Sequence, residues 1–346
     1  MTRALRGTRI LQALNRPGFT IIVVLGEIMG MRQRGSLPSL AAQVGITIGI
    51  LAWMVASTAL NDVADEAIDR VNLVDDARRV LVTGLATRRQ LTGIAIAMGC
   101  TAVMASMLGG WRPVIIMTAG LALSAAYSLP PFRLSDRGAL TSLLLPVGYA
   151  GVPFLLAATA APATMTSRGW WTLLGLAVAL VGRLALKDFR DVDGDRLFGK
   201  RTLLVRHGRR RVCAFTAAFY AAGSVPLLLV TRVDPVIVVD AAILSALTIA
   251  LVVRLSARDD NDTHTISDIA LLGRGQLVLV AVALGQDAHR LSSEVAMLAA
   301  SAVLFATLFS SWIDHSRFRY EPGSMPLGSV STEKDASLVA LGASNV

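Results

Sequence analysis

The sequence predicts an all-α polytopic membrane protein, a bundle of nine or ten transmembrane helices built by an internal duplication with pseudo-two-fold symmetry. Three observations lead there. Of 346 residues, 54% are hydrophobic and only 16% charged, with a mean hydropathy of +0.59, values outside the range of soluble domains. Apolar runs of spanning length recur along the chain, and lipid offers backbone groups no partner outside a helix or closed barrel. The chain also writes one acidic phrase twice, 126 positions apart: Asn61-Asp62-Val63-Ala64-Asp65-Glu66-Ala67-Ile68-Asp69-Arg70 and Lys187-Asp188-Phe189-Arg190-Asp191-Val192-Asp193-Gly194-Asp195-Arg196.

The elements follow in order. Residues 1–17 form a basic segment, with Arg3, Arg6, Arg9 and Arg16 among Leu, Ile and Ala, expected to lie as a helix on the membrane surface and not to be a cleavable signal. Spans are expected at 18–32, 38–60, 90–109, 112–129, 138–160, 170–187, 211–231, 235–253 and 294–313. A tenth, 266–286, is interrupted by Arg274. The bundle thus occupies 18–313, and the polar tail 314–346 is expected to be disordered. Cys100 and Cys213, both inside apolar runs, read as small core hydrophobes.

A net charge of +9 would suggest nucleic acid in a soluble protein. Here the Lys and Arg concentrate in short loops, and the positive-inside bias accounts for them, so no nucleic-acid partner is expected. The same bias places both acidic phrases on the cytosolic side of the plasma (inner) membrane. Helices one to four and five to eight would then be the two halves, each with its acidic phrase after its second helix. Parallel repeats set equivalent loops on one side, facing each other.

The carboxylates fall at i, i+3 and i+7 in each phrase: Asp62, Asp65, Asp69 and Asp188, Asp191, Asp195. That spacing puts three oxygen donors on one helical face, where like charges repel unless something binds them. Two such stripes at the mouths of membrane helices point to a hard cation, with Mg²⁺ holding substrate phosphates as the usual reason. Glu27 lies inside the first span, a functional candidate by its depth alone. Glu66 and Asp193 miss the register and read as solvated or supporting groups.

At these phrases the sequence resembles the UbiA superfamily of intramembrane prenyltransferases. Asn61, Asp62, Asp65 and Asp69 match the first family motif. Lys187, Asp188, Asp191, Gly194, Asp195, Arg196, Gly199, Thr202 and Leu203 match the second. Arg16-Pro17 at the first span and Tyr127-Ser128 with Pro130, Pro131 and Arg133 are also typical. Two positions depart: Val80 stands where a proline usually follows Arg79, which leaves that loop less rigid, and Ser135 stands where Lys is frequent.

The resemblance implies Mg²⁺, with Mn²⁺ as a substitute, held by Asp62, Asp65 and Asp69 and by Asp188, Asp191 and Asp195. It also implies a polyprenyl diphosphate donor bound by Asn61, Arg79, Lys187, Arg196, Lys200, Tyr127 and Arg133, an acceptor, and membrane lipid around the isoprenoid tail. An intramembrane terpene cyclase would use the same metal sites without an external acceptor. An ion or organic-ion transporter is a third reading, disfavoured because transporters place such sites near the bilayer midplane.

Overall fold

The computed structural model describes residues 3–33, 37–72, 79–137, 139–160, 164–197, 199, 201–231, 234–257, 263–287 and 295. The chain divides into two compact units, Met1–Thr307 and Leu308–Val346, and the second lies outside the described residues, as do the polar tail and, apart from Val295, the expected span 294–313.

Every regular element among the described residues is helical. Helix α1 (Arg3–Leu14) precedes α2 (Pro17–Met31), which starts with proline at its first position, where the missing N–H costs nothing. Helix α3 (Leu40–Ala64) is capped by Ser39 and runs into the short α4 (Glu66–Asn72). A Thr87/Gln90 capping box opens α5 (Arg88–Ser106), and α6 (Trp111–Ser128) follows. The next span is bent: α7 (Ala139–Pro146), a π-helical turn over Val147–Gly151, then α8 (Val152–Thr159). Helix α9 (Ser167–Leu184) leads through one 3₁₀ turn into α10 (Asp188–Leu197). Helices α11 (Leu203–Val230, kinked at Gly208), α12 (Pro235–Ser256) and α13 (Thr263–Asp287) complete the described bundle.

Seven of these segments are long and apolar enough to cross a membrane, and α2 adds a shorter apolar stretch, Phe19–Met31. The protein is an integral membrane protein of the all-helical class. The interrupted run 266–286 is helical throughout, because Arg274 sits on a partly exposed stripe of α13 and leaves the buried face of Leu272, Gln276 and Leu279 intact. Of the two cysteines, Cys213 is buried as expected, whereas Cys100 lies on the outer surface.

Packing repeats in the two halves. Helix α3 packs on α5 and, at the equivalent place, α9 packs on α11. The second pair comes close enough that a Cβ on Gly223 would stand 2.3 Å from the Ala179 backbone nitrogen. Such small-residue contacts are how helices associate where lipid removes the hydrophobic drive. Helix α2 closes on α8, and Gly30 makes the approach possible: a Cβ there would meet Phe154 O at 2.3 Å. Helix α4, which holds the end of the first acidic phrase, packs against α10, which holds the second. Duplication therefore brings the half-sites together.

Candidate active site

The first acidic phrase does not lie on one continuous helix, as the spacing had led us to expect. Asp62 sits in the last turn of α3, Asp65 is the residue at which that helix stops, and Asp69 belongs to α4. A break at the middle carboxylate relieves the repulsion a straight helix would impose. The second phrase does occupy one helix, α10, whose first residue is Asp188. Asp188 and Asp195 are buried; the Asp191 side chain and Lys200 lie outside what the structure describes.

Arginines hold the first phrase in place. Asp62, 2% exposed, accepts at Oδ1 from Arg16 and from Arg79, the latter at 2.6 Å. The same Arg79 nitrogen lies 2.9 Å from Asp69 Oδ2, so one guanidinium bridges two carboxylates. Arg133 donates to Asp65 Oδ1 at 3.0 Å and pairs with Asp136, while Asn61 donates to Asp65 Oδ2 at 2.9 Å. Arg16 and Arg133 are the two non-glycine residues with positive φ among the described residues, at 35° and 33°. Such backbone persists only where surroundings impose it, and each of these arginines grips a first-phrase carboxylate. Sequence reasoning noted Arg16 only as the start of a span; its place directly before Pro17 was the available signal.

Both halves contribute to one cavity of about 170 Å³. Its wall includes Asn61, Asp65, Asp69 and Arg79 from the first half and Lys187, Asp188 and Asp195 from the second. Lys187 Nζ donates to Tyr127 Oη at 3.0 Å and lies 5.7 Å from that ring's centre. Away from these groups the wall changes character in step along three helices. Going back from Asp65 along α3 it passes from Asn61 to Met54 and Trp53, on α6 from Tyr127 to Leu123, and from Lys187 in the 3₁₀ turn to Leu184 at the end of α9. Phe19 and Tyr149 stack at 5.0 Å, and Trp53 is fixed by a 3.1 Å bond to Ser124. Ser135, where the family often has Lys, is buried on the wall.

Two expected diphosphate contacts move. Arg196 is exposed and stands outside the wall, because one residue beyond Asp195 the helix has turned it about 100° away. Arg133 stands outside the wall as well and reaches the site through Asp65. Glu27 is buried on α2 and accepts from Thr47 at 2.5 Å, apart from the cavity wall.

The donor set fits a hard divalent cation. Asp65, Asp69, Asp188 and Asp195 offer carboxylate oxygens on the wall; Asp62 stands outside it, with Oδ2 buried and without a hydrogen-bond partner among the described residues, although Oδ1 of the same group has two. Among the described residues no three such groups already converge on a single point. Mg²⁺ ordinarily takes one or two carboxylates and completes its shell with water and phosphate oxygens.

Comparison with known proteins bears on the same residues. The chain matches the UbiA prenyltransferase family over residues 19–272, which includes both acidic phrases. It is 25% identical over 153 residues to the bacteriochlorophyll synthase 34 kDa chain of Chloroflexus aurantiacus, covering 44% of this chain and 48% of that one. It is 29% identical over 217 residues to the digeranylgeranylglyceryl phosphate synthase of Natronomonas pharaonis, covering 61% and 73%. The chain thus spans about half the length of the first relative and nearly three quarters of the second. In fold it is similar to a UbiA homolog from Archaeoglobus fulgidus bound to DMAPP and Mg²⁺, with TM-score 0.60, 15% identity, and 80% of this chain and 99% of that one covered. A match running across both halves of the bundle, and through the two phrases that meet at one cavity, means that the chain belongs to the UbiA prenyltransferase family.

Proposed function

We propose that this protein ionises a polyprenyl diphosphate in the cavity, passes the prenyl group to an acceptor and releases diphosphate. One observation carries the reading: the cavity has carboxylates and cations from both halves at one end and aromatic and aliphatic walls beyond, which is the polarity of a prenyl diphosphate. In this reading Asp62, Asp65 and Asp69 with Asp188, Asp191 and Asp195 hold Mg²⁺, or Mn²⁺ in its place. When bound, the cation neutralises charge that builds on the departing diphosphate. The Archaeoglobus homologue with DMAPP and Mg²⁺ supports both donor class and metal.

The remaining tasks fall to side chains. Arg79 can meet two phosphate oxygens at once and Lys187 acts as a point charge, while Asn61 supplies neutral N–H donors. Arg133 keeps Asp65 oriented, Tyr127 does the same for Lys187, and Lys200 joins the diphosphate contacts. Arg196 leaves the contact set because it faces outward. Phe19, Trp53, Tyr127 and Tyr149 offer ring faces that attract an allylic cation, and the apolar wall keeps water from quenching it. In this reading the site faces the cytosol at the plasma membrane, an orientation that loop charge supports, with lipid receiving the product's tail.

The test is turnover of labelled prenyl diphosphates of several lengths with a panel of acceptors, in nanodiscs, read by mass spectrometry. The expected result is a prenylated acceptor with one diphosphate per product, lost in EDTA and restored by Mg²⁺. Hydrocarbon or alcohol formed without acceptor would favour cyclisation, and undiminished turnover in EDTA would sink the reading.

The pH dependence has a definite sign. Burial lifts the Asp69 carboxyl from 3.8 to about 7, against the pull of Arg79. Below 3.8 the folded and unfolded chains both carry this proton. As pH rises towards 7 only the unfolded chain loses it, so Asp69 lowers stability through that window and costs a constant amount above it. A cation bound to Asp69 must displace the proton. Mg²⁺ affinity should therefore climb by up to about tenfold per pH unit below 7 and level off above, with Asp69→Asn flattening the slope. A flat titration of the unsubstituted protein would contradict this.

A further inference from the structure

Helix α1 is tied at one end to the ion-pair cluster around Asp62 and at the other to the turn that follows Arg79. At its far end the chain continues directly into Arg16, which grips Asp62. Near its start, Arg6 Nε donates to Leu85 O at 2.7 Å and Arg6 Nη2 approaches Gly84 O at 3.4 Å. Both carbonyls belong to the turn that follows Arg79, the residue bridging Asp62 and Asp69.

Packing joins the two ends. Ile10 and Leu14 of α1 share a buried cluster with Val63 of α3 and with Val80, Leu81 and Ala86 of the turn. The turn closes on itself through Thr83 N to Arg79 O at 3.0 Å and Ala86 N to Val80 O at 3.0 Å. Gly84, at φ 69°, has open space around it, so side-chain packing at its tip does not fix it. The fixation there comes from guanidinium groups on backbone carbonyls: Arg6 on Gly84 and Leu85, and Arg70 on Leu81 at 3.3 Å. Charge-assisted bonds of this kind are stronger than neutral ones. A guanidinium left free to wander loses entropy when it must meet a ligand, so loosening this turn weakens binding of the group that Arg79 contacts.

We propose that Arg6 is a positioning residue: by holding the Gly84 and Leu85 carbonyls it fixes the turn that aims Arg79 at Asp62 and Asp69, and so makes α1 part of the active site. The proposal rests on the prenyl-diphosphate reading for its kinetic consequence only; the strap itself is a property of the fold.

Arg6→Gln in the full chain, in nanodiscs, tests both parts. Hydrogen exchange of the ligand-free protein should rise about tenfold over residues 79–87 and stay unchanged over α11 and α12. In the same variant KM for the prenyl diphosphate should rise about tenfold while kcat changes less than threefold. Arg6→Lys, which can still donate to a carbonyl, should recover most of both effects. Arg9→Gln removes the same charge from the exposed face of α1 and should change neither. Unchanged exchange over 79–87 would overturn the proposal. So would equal exchange increases in every helix, a rise in KM shared by Arg9→Gln, or no recovery in Arg6→Lys. If the unsubstituted protein transfers no prenyl group, the exchange result still decides the strap, so the two readings fail separately.

Discussion

Asp62→Asn and Asp188→Asn are each expected to lower kcat by about a thousandfold, or about 4 kcal/mol of transition-state stabilisation. Asparagine keeps the shape and one acceptor oxygen, and replaces the other with an uncharged NH₂ donor. Asp62 is buried with one oxygen held by two arginines and the other without a partner among the described residues, so its charge is committed to the site. Asp188 lies on the cavity wall from the opposite half. Similar losses from both would mean that each half supplies charge the other cannot replace. The measurement is single-turnover release of diphosphate at saturating Mg²⁺, with each variant checked for an unchanged elution profile. A loss below tenfold in either would contradict the assignment.

Arg79→Met is expected to lower the unfolding free energy by about 3–5 kcal/mol in EDTA. Arg79 is 13% exposed at its side chain, between Asp62 at 2% and Asp69 at 9%. Methionine fills comparable space, so the loss reports the charge. Two buried carboxylates would face each other with Arg16 as the remaining cation on Asp62, and an uncompensated buried charge costs far more than an exposed pair contributes. Added Mg²⁺ should recover much of the deficit, because it is expected to neutralise the same carboxylates in the folded state alone. Denaturant unfolding in micelles, with and without Mg²⁺, gives both numbers. A deficit under about 1 kcal/mol, or one that Mg²⁺ leaves untouched, would contradict the bridging role.

The fold was legible because its signals are summed over many residues. Long apolar runs and loop charge register whether or not any single side chain is read correctly, and a shared 126-residue offset exposes the duplication. Arg274 misled because one charge on a partly exposed stripe lowers an average without touching the buried face of α13. The site residues were found by type and spacing, which report which groups must bind a cation and leave open how the chain is bent between them. The break at Asp65 lets α4 turn to pack against α10, a contact between segments far apart in sequence. Arg196 stands off the wall for a related reason: a motif records that a cation follows Asp195, while the helical turn decides which way it faces. Arg16 and Arg6 act across 46 and 79 positions, and no local pattern carries that pairing. Val80 shows the reverse case. The missing proline predicted a looser turn, yet Val80 is fully buried, and arginines on the backbone supply the restraint.

The central claim is that two half-sites form one cavity for one Mg²⁺-dependent prenyl diphosphate. Equilibrium binding of a non-reactive prenyl thiodiphosphate to the purified chain, with and without Mg²⁺, tests it most directly. The account predicts one molecule per chain, binding only with the divalent cation, and loss of binding with either Asp65→Ala or Asp188→Ala. Two molecules per chain, half the capacity retained in either variant, or full affinity in EDTA would contradict it.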